Sequence, residues 1–265
     1  MYDSHLIGKF VRCRIRPSQH NGATMKLRET LKRIPLLAGI YRSARSKYSI
    51  YRLNRKSTEE VFADIHRKNS WGGIESISGP GSDTDQTRQI VEHLPAILRN
   101  YDISTMLDLP CGDFNWMKQV DLSNIEYCGA DILSDLVNKN AKQYARENIR
   151  FEKLDLLRDK LPPVDLILCR DCLIHLSYDD MFQALDNICA SGSEYLLTTT
   201  FPGSTENRDI ATGQGRNINL EAYPFNLPSP LETINEKCTL GNGIYRDKSL
   251  GLWRISDIRE RLNNA

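Results

Sequence analysis

From Thr84 onward, short apolar runs alternate with segments whose large apolar residues recur at helical spacing. The runs at 105–109, 125–131, 149–154, 164–169 and 195–200 are long enough for buried strands and too short for helices. Between them, residues 84–100 place Ile90, Val91, Leu94, Ile97 and Leu98 on one helical face. Ser134 caps a second helix to about Asn148, and residues 179–191 give a third. Strand and helix in alternation predict a parallel sheet with helices on both faces. Residues 230–238 and 249–255 supply a closing antiparallel strand pair. Ahead of this core, residues 58–69 read as a helix with Thr58 as its cap, Glu59 and Glu60 in the first turn, and Val61, Phe62 and Ile65 along a face.

The first strand ends in TMLDLPCGDFNW, residues 105–116. Pro110, Cys111 and Gly112 break the apolar run, Asp113 is placed to cap the next segment, and residues 114–120 have helical spacing. A tight turn at the carboxyl edge of an open α/β sheet is where ligands lie, because backbone N–H groups and a helix N-terminus converge there. Asp131 closes the next strand 23 positions after Asp108, a spacing that suits an acid gripping a ribose diol.

With these residues the chain resembles the class I S-adenosylmethionine (SAM)-dependent methyltransferases, over residues 65–258. Of the family's acid-x-Gly-x-Gly pattern only Asp108 and Gly112 stand, with Pro110 and Cys111 where small residues are usual. The resemblance implies a Rossmann-like seven-stranded, mostly parallel sheet with helices on both faces and an antiparallel last strand. It implies SAM as cofactor, held by Asp108, Pro110, Cys111 and Gly112 in the turn, and by Asp131 and Ile132 at the second strand. Asp155, just past the third strand, matches the family's acceptor for the adenine amino group, with an ordinary loop acid as the competing reading. Arg170, at the end of the fourth strand, joins the cofactor set. In this class the segment before the first strand covers the cofactor. Here it reads SWGGIESISGPGSDTDQT, residues 70–87, too rich in Gly and Pro for a regular element. Trp71, Ser78, Gly79, Gly81 and Ser82 are expected to close over SAM; a flexible linker is the bland alternative.

Charge divides the chain. The net value of +1 hides an N-terminal stretch, residues 1–56, with 14 Lys/Arg against Asp3 and Glu29, so +12, and a remainder of −11. Two parts are therefore expected: a basic extension, 1–56, partly disordered or a helical arm, and a catalytic domain, 57–265. The arm suits packing on the body or on a partner subunit, a membrane surface, or nucleic acid. No run of 18 apolar residues is present, and the run at 6–11 is short and interrupted by Lys9, so a signal peptide is not expected. Seven scattered cysteines read as reduced thiols of a cytoplasmic protein. Cys169 and Cys172 have metal-ligand spacing without a second pair, so no metal is expected.

The end of the fourth strand, RDCLIHL at 170–176, is where this class places its chemistry. The Asn/Asp-Pro-Pro-aromatic motif of the amino-methylating nucleic-acid enzymes is missing there. Asp171 and His175 are the catalytic candidates: a histidine near neutrality removes a hydroxyl proton, and Asp171 orients its imidazole. A structural histidine beside the cofactor is the competing reading. After the fifth strand, residues 206–230 form a long polar segment in which Arg208, Arg216, Asn217 and Asn219 offer donors to an oxygen-rich or anionic substrate and Tyr223 and Phe225 offer rings. A solvated insertion is the alternative.

The function expected from the resemblance is SAM-dependent O-methylation of a small polar or saccharide-like acceptor, of the kind found in surface-polysaccharide or lipid-linked glycan assembly. The expected location is cytoplasmic, with the basic arm at the inner face of the membrane. Two alternatives stand beside it: an RNA methyltransferase using the arm on phosphates, and a non-catalytic SAM-fold module that binds a partner. A dehydrogenase reading is weaker, because Gly-x-Gly-x-x-Gly is absent.

Overall fold

The computed structural model describes residues 56–264. The expectations for the basic segment, residues 1–55, lie outside the described residues. Seven strands, β1 (Thr105–Asp108), β2 (Glu126–Asp131), β3 (Ile149–Lys153), β4 (Leu166–Cys169), β5 (Tyr195–Thr200), β6 (Glu232–Asn235) and β7 (Ser249–Arg254), form one sheet in the order β3-β2-β1-β4-β5-β7-β6. The first five pair in parallel, and β7 runs antiparallel to both β5 and β6. The order reverses between β1 and β4, so their carboxyl ends flank a crevice suited to a ligand.

The period of two along the strands builds the core in two layers. Leu107, Ile167, Cys169 and Leu196 face one side. There they meet Met181, Leu185 and Ile188 of helix α4 (Tyr178–Ala190) and Ile258 of α5 (Ile255–Asn263). Met106, Leu166, Leu168 and Leu197 face the other, where α2 (Thr84–Asn100) contributes Ile90, Leu94, Ile97 and Leu98. The remaining described α-helices are α1 (Thr58–Arg67) and α3 (Ser134–Tyr144). Strand β5 and helix α2 have the bounds expected from their periodicity.

Local chemistry moved several boundaries. Ser57, not Thr58, caps α1: its Oγ accepts from Glu60 N at 3.2 Å, and the Glu60 carboxylate accepts from Ser57 N at 2.8 Å. Ser177 caps α4 through Asp180 N at 3.2 Å. Helix α3 ends at Tyr144, short of Asn148, and Ser134 is its first residue rather than its cap. The largest departure comes after β1. Phe114 has φ +58°, and residues 114–120 give only a 3-10 turn at Met117–Gln119 instead of an α-helix. The Phe114 ring packs among Tyr127, Tyr144 and Phe151 at 5.1–5.4 Å between centroids, and burying it there outweighs the helical spacing.

Candidate active site

A cavity of about 720 Å³ lies at the carboxyl ends of β1, β2 and β4. Its floor is the turn after β1. Leu109 N donates to Leu168 O at 2.9 Å and Cys111 N to Ala130 O at 2.8 Å, which ties the turn between both neighbouring strands. Gly112 sits at φ +55°, and a Cβ there would stand 2.3 Å from Ser78 Oγ, so only glycine lets the preceding loop approach. Asp113 caps no helix. Its carboxylate accepts from Ser76 Oγ at 2.8 Å and Ile77 N at 3.0 Å and fastens that loop to the turn.

Two acids face the floor. Asp131 accepts from Leu133 N at 3.0 Å and Gly112 N at 3.3 Å. Burial nevertheless pushes its pKa up to about 6, against the relief those backbone bonds give. Asp108 is 2% exposed and accepts from Tyr127 Oη at 2.6 Å. Burial raises it to about 7, with Tyr127 and Arg170 pulling the other way. Ile132 and Asp155 border the same cavity, with Asp155 accepting from Leu157 N at 2.9 Å. Trp71, Ser78, Gly79, Gly81 and Ser82 form the opposite wall, and Pro110 and Cys111 complete the turn. The structure thus brings all thirteen residues of the expected cofactor set to one cavity.

Beneath the wall lies a buried ionic group. Arg170 donates to Glu236 at 2.7 and 3.3 Å and to Gly81 O at 2.8 Å, and its Nη1 stands 3.3 Å from Asp171. Lys248 Nζ lies 2.6 Å from Asp171 Oδ2 and 3.1 Å from Glu236 Oε2. Two cations and two anions close on one another, the arrangement in which buried charge is tolerable. Burial alone pushes the Asp171 carboxyl up, but Arg170 and Lys248 hold it well below the usual carboxylate range.

His175 closes a 3-10 turn, Leu173–His175, behind β4. Its Nδ1 lies 2.8 Å from Gln214 O. A carbonyl only accepts, so Nδ1 carries the hydrogen and Nε2 keeps its lone pair. Asp171 does not orient this ring, contrary to expectation: its carboxylate is committed to Arg170 and Lys248, and the Gln214 carbonyl does so instead. Burial pushes the imidazole pKa below its ordinary value, against the Gln214 bond and the Asp171 charge, and so favours the neutral ring. Trp71 covers it at 5.4 Å between centroids, with Phe62 behind Trp71 at 6.3 Å.

The polar segment after β5 is not a solvated insertion but a strap folded over this turn. Gly213 N donates to His175 O at 2.8 Å, Arg216 N to Ile174 O at 3.2 Å, and Ser177 N to Thr212 Oγ1 at 2.9 Å. Of the six expected substrate residues, Arg208, Arg216 and Asn217 border the cavity. Arg216 is 6% exposed and gives Nη1 to Leu176 O at 2.5 Å and Nη2 to Met181 Sδ at 2.7 Å, so its donors go mostly to the fold. Asn219 spends its amide on Pro202 O and Ser204 O, both at 3.2 Å, and does not reach the cavity. Tyr223 is 80% exposed and away from it, and Phe225 is fully buried against Phe182 at 5.0 Å. Glu236, Lys248 and the Gln214 carbonyl carry no signal in the sequence. No local pattern marks residues that meet only when β6, β7 and the strap close on β4.

No protein-family model matches the sequence, and no curated protein matches it. Among solved structures, human N-acetylserotonin methyltransferase in complex with SAM superimposes with a TM-score of 0.53 and 14% identity, over 82% of this chain and 69% of that one. The N-methyltransferase NodS from Bradyrhizobium japonicum WM9, in complex with S-adenosyl-L-homocysteine, gives 0.49 and 17%, over 66% and 89%. The methyltransferase domain of bacterial CtHen1-C gives 0.39 and 17%, over 43% of this chain and 66% of that one, just under two thirds of its length. With the strand order and the antiparallel β7, the first of these likenesses establishes the architecture: the chain has the class I SAM-dependent methyltransferase fold.

Proposed function

We propose that the chain is a SAM-dependent methyltransferase acting on a hydroxyl of a small polar or saccharide-like acceptor. The residues present fit the cofactor. Gly112 leaves the turn without a Cβ, and Asp131 presents a buried carboxylate with backbone donors and no cation partner within ion-pair distance among the described residues. A ribose diol supplies the missing donors. Asp108, the Pro110–Gly112 turn, Ile132, Asp155 and Arg170 would complete its seat, with Trp71 and residues 78–82 over it. Bound there, SAM supplies a sulfonium methyl, an electrophile whose carbon–sulfur bond releases its electron pair to sulfur.

One observation carries the choice of a hydroxyl. The Gln214 carbonyl fixes the His175 tautomer that leaves Nε2 as an acceptor, and burial favours the neutral ring. Nε2 makes no hydrogen bond among the described residues and is available for the proton that an acceptor hydroxyl loses. An amine needs less help, since it attacks through its own lone pair.

The basic N-terminal segment, +12 over residues 1–56, supports an acceptor at the inner membrane surface, such as a lipid-linked saccharide. Incubation with methyl-labelled SAM and a panel of hydroxylic compounds, amines and RNA tests the reading. An O-methyl product that disappears in His175→Ala supports it. Transfer to RNA alone would favour the nucleic-acid enzyme, and SAM binding without transfer to any acceptor would favour the partner-binding module.

A further inference from the structure

The cavity has a second stretch of wall that methyl transfer itself does not use. Ser204, Glu206, Arg208 and Asn217 border it from the strap, and Leu240, Ile244 and Tyr245 border it from the connection between β6 and β7. Phe201 joins the two sides, edge-on to Tyr245 at 6.2 Å between centroids. Glu206 and Arg208 are exposed and Ser204 and Asn217 half-buried, and among the described residues none of the four side chains hydrogen-bonds or ion-pairs with protein, so their polar groups face the solvent of the cavity. The strap around them is nevertheless pinned by its backbone.

We propose that this wall is the acceptor subsite and that it takes an uncharged pyranose-like polyol, its ring against Tyr245 and its adjacent hydroxyls shared among Glu206, Arg208 and Asn217. This rests on the methyltransferase reading above and names its substrate class. A guanidinium only donates, a carboxylate only accepts, and an amide does both. The ligand that satisfies all three is one whose every polar group both donates and accepts, which is a hydroxyl. A carboxylate or phosphate at this wall faces Glu206, with Asp209 close behind at Arg216. An ammonium faces Arg208. Of the other charges bordering the cavity, Lys248 and Asp171 are closed into the ionic group with Arg170 and Glu236, and Arg216 gives its donors to Leu176 O and Met181 Sδ. Tyr245 is 37% and Ile244 68% exposed, so an apolar sugar face has somewhere to rest and the wall stays open for a longer glycan.

Saturation-transfer NMR on the full chain, with S-adenosyl-L-homocysteine bound, tests this. The probes are the methyl glycosides of glucose, galactose, mannose and rhamnose, with glucuronate and glucosamine as charged counterparts. At least one neutral glycoside is expected to bind, and Glu206→Gln and Asn217→Ala each to weaken it by about tenfold while homocysteine-product affinity stays unchanged. Three results overturn the proposal: glucuronate or glucosamine binding more tightly than every neutral glycoside, Glu206→Gln raising glucuronate above them, or no glycoside binding to protein that holds the cofactor product. Failure of the cofactor product to bind folded protein would instead overturn the methyltransferase reading beneath it.

Discussion

The ring of Trp71 lies 5.4 Å from that of His175 at an interplanar angle of 37°. The contact joins the loop ahead of β1 to the turn behind β4, elements over 100 residues apart in the chain. It helps to exclude water from the imidazole, and that exclusion is what depresses the His175 pKa.

Trp71→Ala is therefore expected to raise the His175 pKa back toward 6.5. The acid limb of the rate profile should move up with it, since the base works only when neutral. NMR titration of the imidazole, or kcat against pH, reads the shift; an unmoved limb would mean that Trp71 does not shield the ring. In the same profile His175→Ala should lose turnover by about two to four orders of magnitude while cofactor affinity stays near that of the parent. Loss of cofactor binding as well would mark the histidine as structural.

Asp131 and Asp108 give a pH dependence of opposite sign to the common carboxylate case. Their pKa values in the folded chain stand above the ordinary 3.8, at about 6 and about 7, so the folded state binds more protons than the unfolded one across that window. The ligand-free protein should thus lose stability as pH rises from about 4 to 7. Cofactor affinity should rise over the same interval, because ribose hydroxyls donate to the ionised Asp131. Denaturant titrations and calorimetry at pH 5 and pH 7.5 check both. Asp131→Ala should weaken SAM by at least about tenfold and flatten its pH dependence; near-parent affinity would remove the ribose role.

Gly112→Ala places a methyl group 2.3 Å from Ser78 Oγ at a φ of +55°. A strained backbone position costs on the order of 1–3 kcal/mol, and the Ser78 side chain must turn aside or its loop give way. Cofactor affinity should fall more than thermal stability does. Equal affinity at unchanged stability would show that the loop does not close on the turn.

Much of the fold was legible in the sequence because β1, β2, β4 and β5 are short apolar runs and α2 has an unbroken apolar stripe. The site was legible where a local signal existed: acids at strand ends, and a Gly-rich loop ahead of β1. It was not legible where long-range contacts decide. The ring of Phe114 joins an aromatic cluster and cancels a helix that its spacing favoured. Arg216 reads as a substrate donor by composition, yet it holds the turn of His175. Asp171 reads as the partner of His175 by its i+4 spacing, but Lys248, 77 residues away, takes its carboxylate.

Lys248→Met leaves Asp171 and Glu236 sharing Arg170 alone, and breaking one partner of a buried ionic group costs roughly 3–5 kcal/mol. Chemical denaturation should show a loss of that order. A change under about 1 kcal/mol would mean that water already reaches the group.

The most direct measurement is calorimetric titration of the purified protein with SAM and with S-adenosyl-L-homocysteine. Gly112 opens the turn, and Asp131 has no cation partner among the described residues, so binding of both in the micromolar range is expected. A demonstrably folded protein that binds neither would contradict the assignment of this cavity to SAM, and with it the methyltransferase function.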